Sequence, residues 1–120
     1  MLLALIVTVM QARDRTALIF DELDTGIGGV TAAAVASRLG RLAKTAQVVC
    51  VTHLAQIASW ADRHYLLEKI ERNGKTTIEV REAGKRSERA GELARMLSGN
   101  KRGVALKHAE ALLESTQREN

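Results

Sequence analysis

A chain of 120 residues is one small domain or a piece of a larger one, and its 46% hydrophobic content is enough for a core. A charged fraction of 27% is ordinary for a globular protein and argues against disorder. The net charge of +4 permits contact with a phosphate backbone without requiring it, while Phe20, Trp60 and Tyr65 are too few aromatics for a base-stacking surface. The lone Cys50 lies in an apolar run, which excludes an internal disulfide framework and fits a reducing cytoplasm. His53, His64 and His108 are scattered, with no second cysteine to complete a metal-ligand cluster.

Residues 1–10, Met-Leu-Leu-Ala-Leu-Ile-Val-Thr-Val-Met, lack the basic n-region and small-residue cleavage site of a signal peptide. They also fall short of the roughly 20 apolar residues a membrane span needs. A buried helix over 1–12 is expected instead. Thr16 to Phe20 is a continuous apolar run, the pattern of a parallel strand covered on both faces. Gly26, Gly28 and Gly29 turn the chain, and Thr31 is expected to cap a helix running to about Lys44. Val35, Leu39 and Leu42 form its apolar stripe, with Ser37, Arg38 and Arg41 facing water. Gln47 to Thr52 gives a second parallel strand, so the segment reads as a right-handed βαβ unit.

A short helix is expected from Leu54 to about Ala61. A hairpin follows, from His64 to Glu71 and from Thr76 to Arg81, around Asn73-Gly74, because both positions of that turn need positive φ. Ala83 to Arg86 reads as a loop. Ser87 with Glu88 starts a helix through Leu97 that Ser98-Gly99-Asn100 ends. A last amphipathic helix runs from Val104 to about Glu114 on Leu106, Leu112 and Leu113, then gives way to a polar tail. The chain has no proline, repeat or low-complexity linker, so no domain boundary is expected within it.

The chemistry concentrates at the strand ends. Asp21 and Glu22 are adjacent carboxylates, costly to desolvate unless a cation or a reacting water uses them. Alone, such a pair also suits a solvated strand end that begins a turn. Here Leu18-Ile19-Phe20 precedes it, Asp24-x-Gly follows, and a strand-terminal histidine, His53, lies 31 residues beyond Glu22. His53 stands at the carboxyl end of a parallel strand, where open α/β sheets meet ligands. Asp24 reads equally as a turn former. Two further sequences are decoys: Leu97-Ser98-Gly99-Asn100 suits a helix C-cap, and Lys44-Thr45 lacks the glycine that a phosphate loop requires, since Ala43 precedes it. No Gly-x-x-x-x-Gly-Lys-Ser/Thr occurs anywhere in the chain.

The order of these motifs resembles the Walker B, D-loop and H-loop series of ABC-type ATPase heads. The wording Asp24-Thr25-Gly26-Ile27-Gly28-Gly29 and Cys50-Val51-Thr52-His53-Leu54-Ala55-Gln56 is similar to the C-terminal part of the RecN family of SMC-like bacterial DNA-repair ATPases. Transporter and typical SMC heads carry Ala-Leu-Asp where this chain has Thr25-Gly26-Ile27; the family's usual proline is Ala55 here. The resemblance covers essentially the whole chain. It implies an α/β fold: a partial P-loop NTPase lobe with a parallel βαβ core, a β-hairpin and two C-terminal helices. All of 1–120 would be the C-terminal lobe of the head, with Met1 an internal methionine and Walker A, signature motif and coiled coil absent.

By the same resemblance Asp21 holds Mg²⁺ through water, Glu22 is the general base and His53 reaches the γ-phosphate of ATP. Asp24 couples two heads, and Thr52 and Gln56 are secondary nucleotide contacts. The expected function is the Walker B and H-loop part of an ATPase acting in double-strand break repair and recombination. Its partners would be the missing N-terminal head segment, a second head in a homodimer, and DNA through the full-length protein, with no membrane, in the bacterial cytoplasm at the nucleoid. The isolated chain is expected to be inactive, poorly stable and prone to associate through an open edge beside Val48–Thr52. The alternative is a free-standing interaction lobe that completes or regulates another head.

Overall fold

The computed structural model describes residues 17–21, 29–99 and 102–119. The expected helix over 1–12, the turn at Gly26 and Gly28, and the candidates Glu22 and Asp24 lie outside the described residues.

Strand β1 (Ala17–Asp21) pairs in parallel with β2 (Gln47–Val51), in register from Ala17↔Gln47 to Asp21↔Val51. The crossover between them contains helix α1 (Gly29–Leu42), as a parallel pair requires. Thr31 therefore lies inside α1 rather than capping it, and α1 ends at Leu42, where Lys44 and Thr45 close a turn on the carbonyls of Arg41 and Leu42. The helical period brings Ala32, Val35, Ala36 and Leu39 to one buried face, with Leu42 half-buried beside them. Phe20 and Ile57 complete this first core, and Leu18, Val48 and Cys50 pack against it.

Strand alternation sends the intervening side chains the other way. Ile19 (75% exposed), Val49 and Val51 face out. Among the described residues the expectation of a sheet covered on both faces is thus met on one face only. The apolar run in β1 and β2 reflects two apolar faces, of which α1 covers one.

Helix α2 (Ala55–Ala58) is a single turn, shorter than the expected segment to Ala61. The hairpin follows as β3 (Tyr65–Arg72) and β4 (Lys75–Glu82), joined at Asn73 (φ 53°) and Gly74 (φ 71°), the conformation Asn-Gly predicts. Leu66 is buried, whereas Leu67, Ile78 and Val80 share an exposed face in which Leu67 stands opposite Val80. The other face carries the exposed ion pairs Glu68–Arg81 (3.9 Å) and Arg72–Glu79 (3.6 Å), each contributing no more than about 1 kcal/mol.

Helices α3 (Arg86–Ser98) and α4 (Val104–Glu119) pack on each other and on α2. Helix α3 starts one residue before Ser87. Its cap is Lys85, whose backbone N–H donates to the Glu88 carboxylate at 3.2 Å. Gly99 ends it in the left-handed region (φ 75°), donating its N–H to the Arg95 carbonyl at 2.7 Å. Helix α4 continues past Glu114 to Glu119, where a polar tail was expected. The second core comprises Ala55, Ala58, Ala90, Leu93, Ala94, Ala109 and Leu113. Leu93 is fully buried, a contribution of about 1.5–3 kcal/mol over an exposed leucine.

Candidate functional site

The parallel register decides where the candidate residues meet. Adjacent strands lie about 4.8 Å apart, and β1 and β2 run the same way, so both deliver their final residues to one edge. Asp21, exposed, is the last residue of β1 and pairs with Val51. Thr52 and His53 follow Val51 at that edge. Glu22 is the next residue in the chain after Asp21.

The chain then turns sharply into α2. The half-buried Thr52 hydroxyl oxygen accepts the backbone N–H of Leu54 at 3.0 Å, a local side-chain turn that sets the direction of exit from the strand. Leu54 is extended (φ −94°, ψ 121°) and precedes the first residue of α2. His53, exposed, thus stands between a strand end and a helix start. Gln56 is half-buried in α2, and its carbonyl accepts the Ser59 hydroxyl at 3.0 Å. Asp21, Thr52 and His53 therefore share the edge, with Gln56 on the turn that leaves it.

Helix α2 sits between the two cores. Ile57 belongs to the first, Ala55 and Ala58 to the second. The carbonyls of α2 itself are bonded locally by residues 59–61, and those of Ser59 and Ala61, just past its end, take long-range donors. Arg89 Nη2 of α3 donates to the carbonyl of Ala61 (2.7 Å) and to that of Ser59 (3.5 Å). The Thr116 hydroxyl of α4 donates to the Ser59 carbonyl (3.2 Å). Sequence reasoning missed both donors. One of three arginines in an amphipathic helix and a threonine in a polar tail carry no local signal.

Behind this clamp His64 is buried at 8% exposure with its Nδ1 unpartnered. Burial, reinforced by the neighbouring Arg89 charge and partly offset by Glu92, lowers its pKa below the ordinary histidine value. At the surface Arg63 forks onto Glu82 (2.8 and 2.9 Å) and stacks over Tyr65, which holds the Glu82 carboxyl below the usual range. A cleft of about 190 Å³ lies between Asp62, Glu82, Arg86, Arg89 and Gln117. It includes none of the sequence-predicted residues, and its mixed charges give it no evident chemistry.

Among the described residues no three His, Cys, Asp or Glu side chains are grouped to hold a metal ion. A single exposed carboxylate such as Asp21 fits contact through water, which suits a cation that keeps most of its hydration shell. Among those residues no helix is long and apolar enough to cross a membrane.

No protein-family model matches the chain. Curated proteins do. The chain is 50% identical over 109 residues to the DNA repair protein RecN of Deinococcus radiodurans, covering 91% of this chain and 19% of that protein. It is 46% identical over 100 residues to RecN of Streptomyces coelicolor (82% and 17%) and 38% identical over 103 residues to RecN of Bacillus subtilis (85% and 18%). It therefore spans about a fifth of the length of the curated relatives it matches. The mixed α/β architecture, with a parallel two-stranded sheet, a hairpin and C-terminal helices, is in keeping with that relationship. Over nearly all of its own length, the chain belongs to the RecN family.

Proposed function

We propose that this chain supplies the Walker B and H-loop part of the ATP hydrolysis site of a RecN-type ATPase acting in DNA double-strand break repair and recombination. The observation that carries the reading is the parallel register, which puts Asp21 beside Val51 and so beside the Thr52-His53 exit. In this assignment Asp21 holds Mg²⁺ through water and Glu22 takes the proton of the attacking water. His53 contacts the γ-phosphate of ATP, Thr52 and Gln56 line the nucleotide, and Asp24 couples one head to the next. The chain's sequence contains no phosphate-binding loop, so grip on the triphosphate comes from the N-terminal head segment. A second head closes the site as a homodimer, and DNA engages the full-length protein at the bacterial nucleoid in the cytoplasm. The same assignment makes the isolated chain inactive.

The exposed Ile19, Val49 and Val51 also suit a second reading, a lobe that completes or regulates another ATPase head. One substitution tests the first. Glu22→Gln in a complete head retains ATP and turns over at least about a hundredfold more slowly, the worth of a positioned base. Near-normal turnover would remove Glu22 from that role.

A further inference from the structure

We propose that Arg89 and Thr116 are positioning residues for His53, acting from the C-terminal helices through the single turn of α2. The proposal rests on the assignment of His53 to the nucleotide site. A helix of one turn has almost no stability of its own, because nucleation costs more than one or two hydrogen bonds return. Its placement is therefore set by its contacts. At the start, the Thr52 hydroxyl accepts the Leu54 N–H, and Ile57 is buried in the first core. Just past its end, the Ser59 carbonyl takes two donors and the Ala61 carbonyl one, from Arg89 and Thr116.

The Thr116–Ser59 bond is shielded from water, with Ser59 3% and Thr116 5% exposed, whereas the Arg89 bonds are half-buried. A buried donor lost here is not readily replaced by water. His53 is six residues from Ser59 along the chain, with the hydrogen-bonded turn between them. Movement of the far end of α2 is transmitted to His53, because Ala55, Ile57 and Ala58 are each buried and cannot absorb it by local repacking. Both Arg89 bonds leave one nitrogen, Nη2, so removing the side chain removes them together.

The test uses a complete RecN-type ATPase. Per folded molecule, Arg89→Ala and Thr116→Val each lower kcat by about tenfold to a hundredfold, the cost of a misplacement of about 1 Å, with KM for ATP unchanged. Thr116→Ser rescues the Thr116→Val loss. In a His53→Ala background neither substitution removes more than about a further twofold, because its effect passes through the missing side chain. A full additional loss in that background, a rise in KM instead of a fall in kcat, or unchanged kcat in both single variants overturns the proposal. Thr116→Val keeps the side-chain volume, and so gives the answer where Arg89→Ala fails to fold. Normal turnover in His53→Ala alone overturns the assignment of His53 itself, a result distinct from failure of the clamp.

Discussion

Gly40 occupies a helical position that would ordinarily favour alanine, and the structure reverses that preference. A Cβ built there would fall against Cε3 of the Trp60 ring and lie 2.9 Å from Cζ3. Carbon atoms rest about 3.5–4.0 Å apart, so the indole or the helix must give. The indole packs against the first core, and the Trp60 backbone N–H donates to the Ile57 carbonyl at 3.2 Å. Replacing a helix-interior glycine by alanine returns about 1 kcal/mol of helix propensity, an upper bound for Gly40 in the last turn of α1. Overpacking costs about 1–3 kcal/mol, and a contact this close belongs in the upper half of that range. Gly40→Ala is therefore expected to destabilise the chain by about 1–2 kcal/mol net. Urea unfolding at low protein concentration, followed by circular dichroism and by the emission of the single tryptophan, measures it. Shortening the ring with Trp60→Leu should flip the sign, leaving Gly40→Ala stabilising by up to about 1 kcal/mol. A stabilising effect beside the intact tryptophan, or an equal cost in both backgrounds, would refute the reasoning.

His64 gives a pH signature. Its folded pKa lies below the ordinary value of about 6.5, so the unfolded chain binds more protons between the two. That contribution is fully present above about pH 6.5 and is lost as pH falls below it. The charged groups facing His64 are Arg89 and Glu92. The melting temperature of the wild type should fall faster than that of His64→Gln as pH is lowered from neutral, and parallel profiles would remove His64 as the cause. The exposed faces give a second signature. The isolated chain should associate as concentration rises in sedimentation, and the opposed pair Leu67→Lys with Val80→Glu should weaken the association. A monomer at every concentration would show that neither apolar face is adhesive.

The parts of the fold legible in the sequence were those set by local chemistry. Asn73-Gly74 located the hairpin, the Val35–Leu39 stripe oriented α1, and Gly99 marked the end of α3. Where tertiary bonds decide, local reading failed. The residues after Glu114 look like a frayed tail, yet α4 continues because Thr116 is buried and bonded to the Ser59 carbonyl. The segment just past α2 is similarly held by Arg89, 30 residues away from Ser59. At the candidate site, Asp21, Thr52 and His53 were readable because strand termini and parallel pairing are both written in the apolar runs. The Arg89–Thr116 clamp was not, since one of its partners lies 57 residues from the carbonyl it serves.

The separation between β1 and β2 bears on the order in which the chain assembles. Pairing them requires closing residues 22–46, whereas two turn residues join β3 to β4 and a short connection joins α3 to α4. Local contacts form before distant ones, because loop-closure entropy must be met before distant contacts can form. The hairpin and the helix pair are therefore in place early. The edge carrying Asp21, Thr52 and His53 comes into being only when the crossover closes, so the candidate site is expected to form after the hairpin and the helix pair.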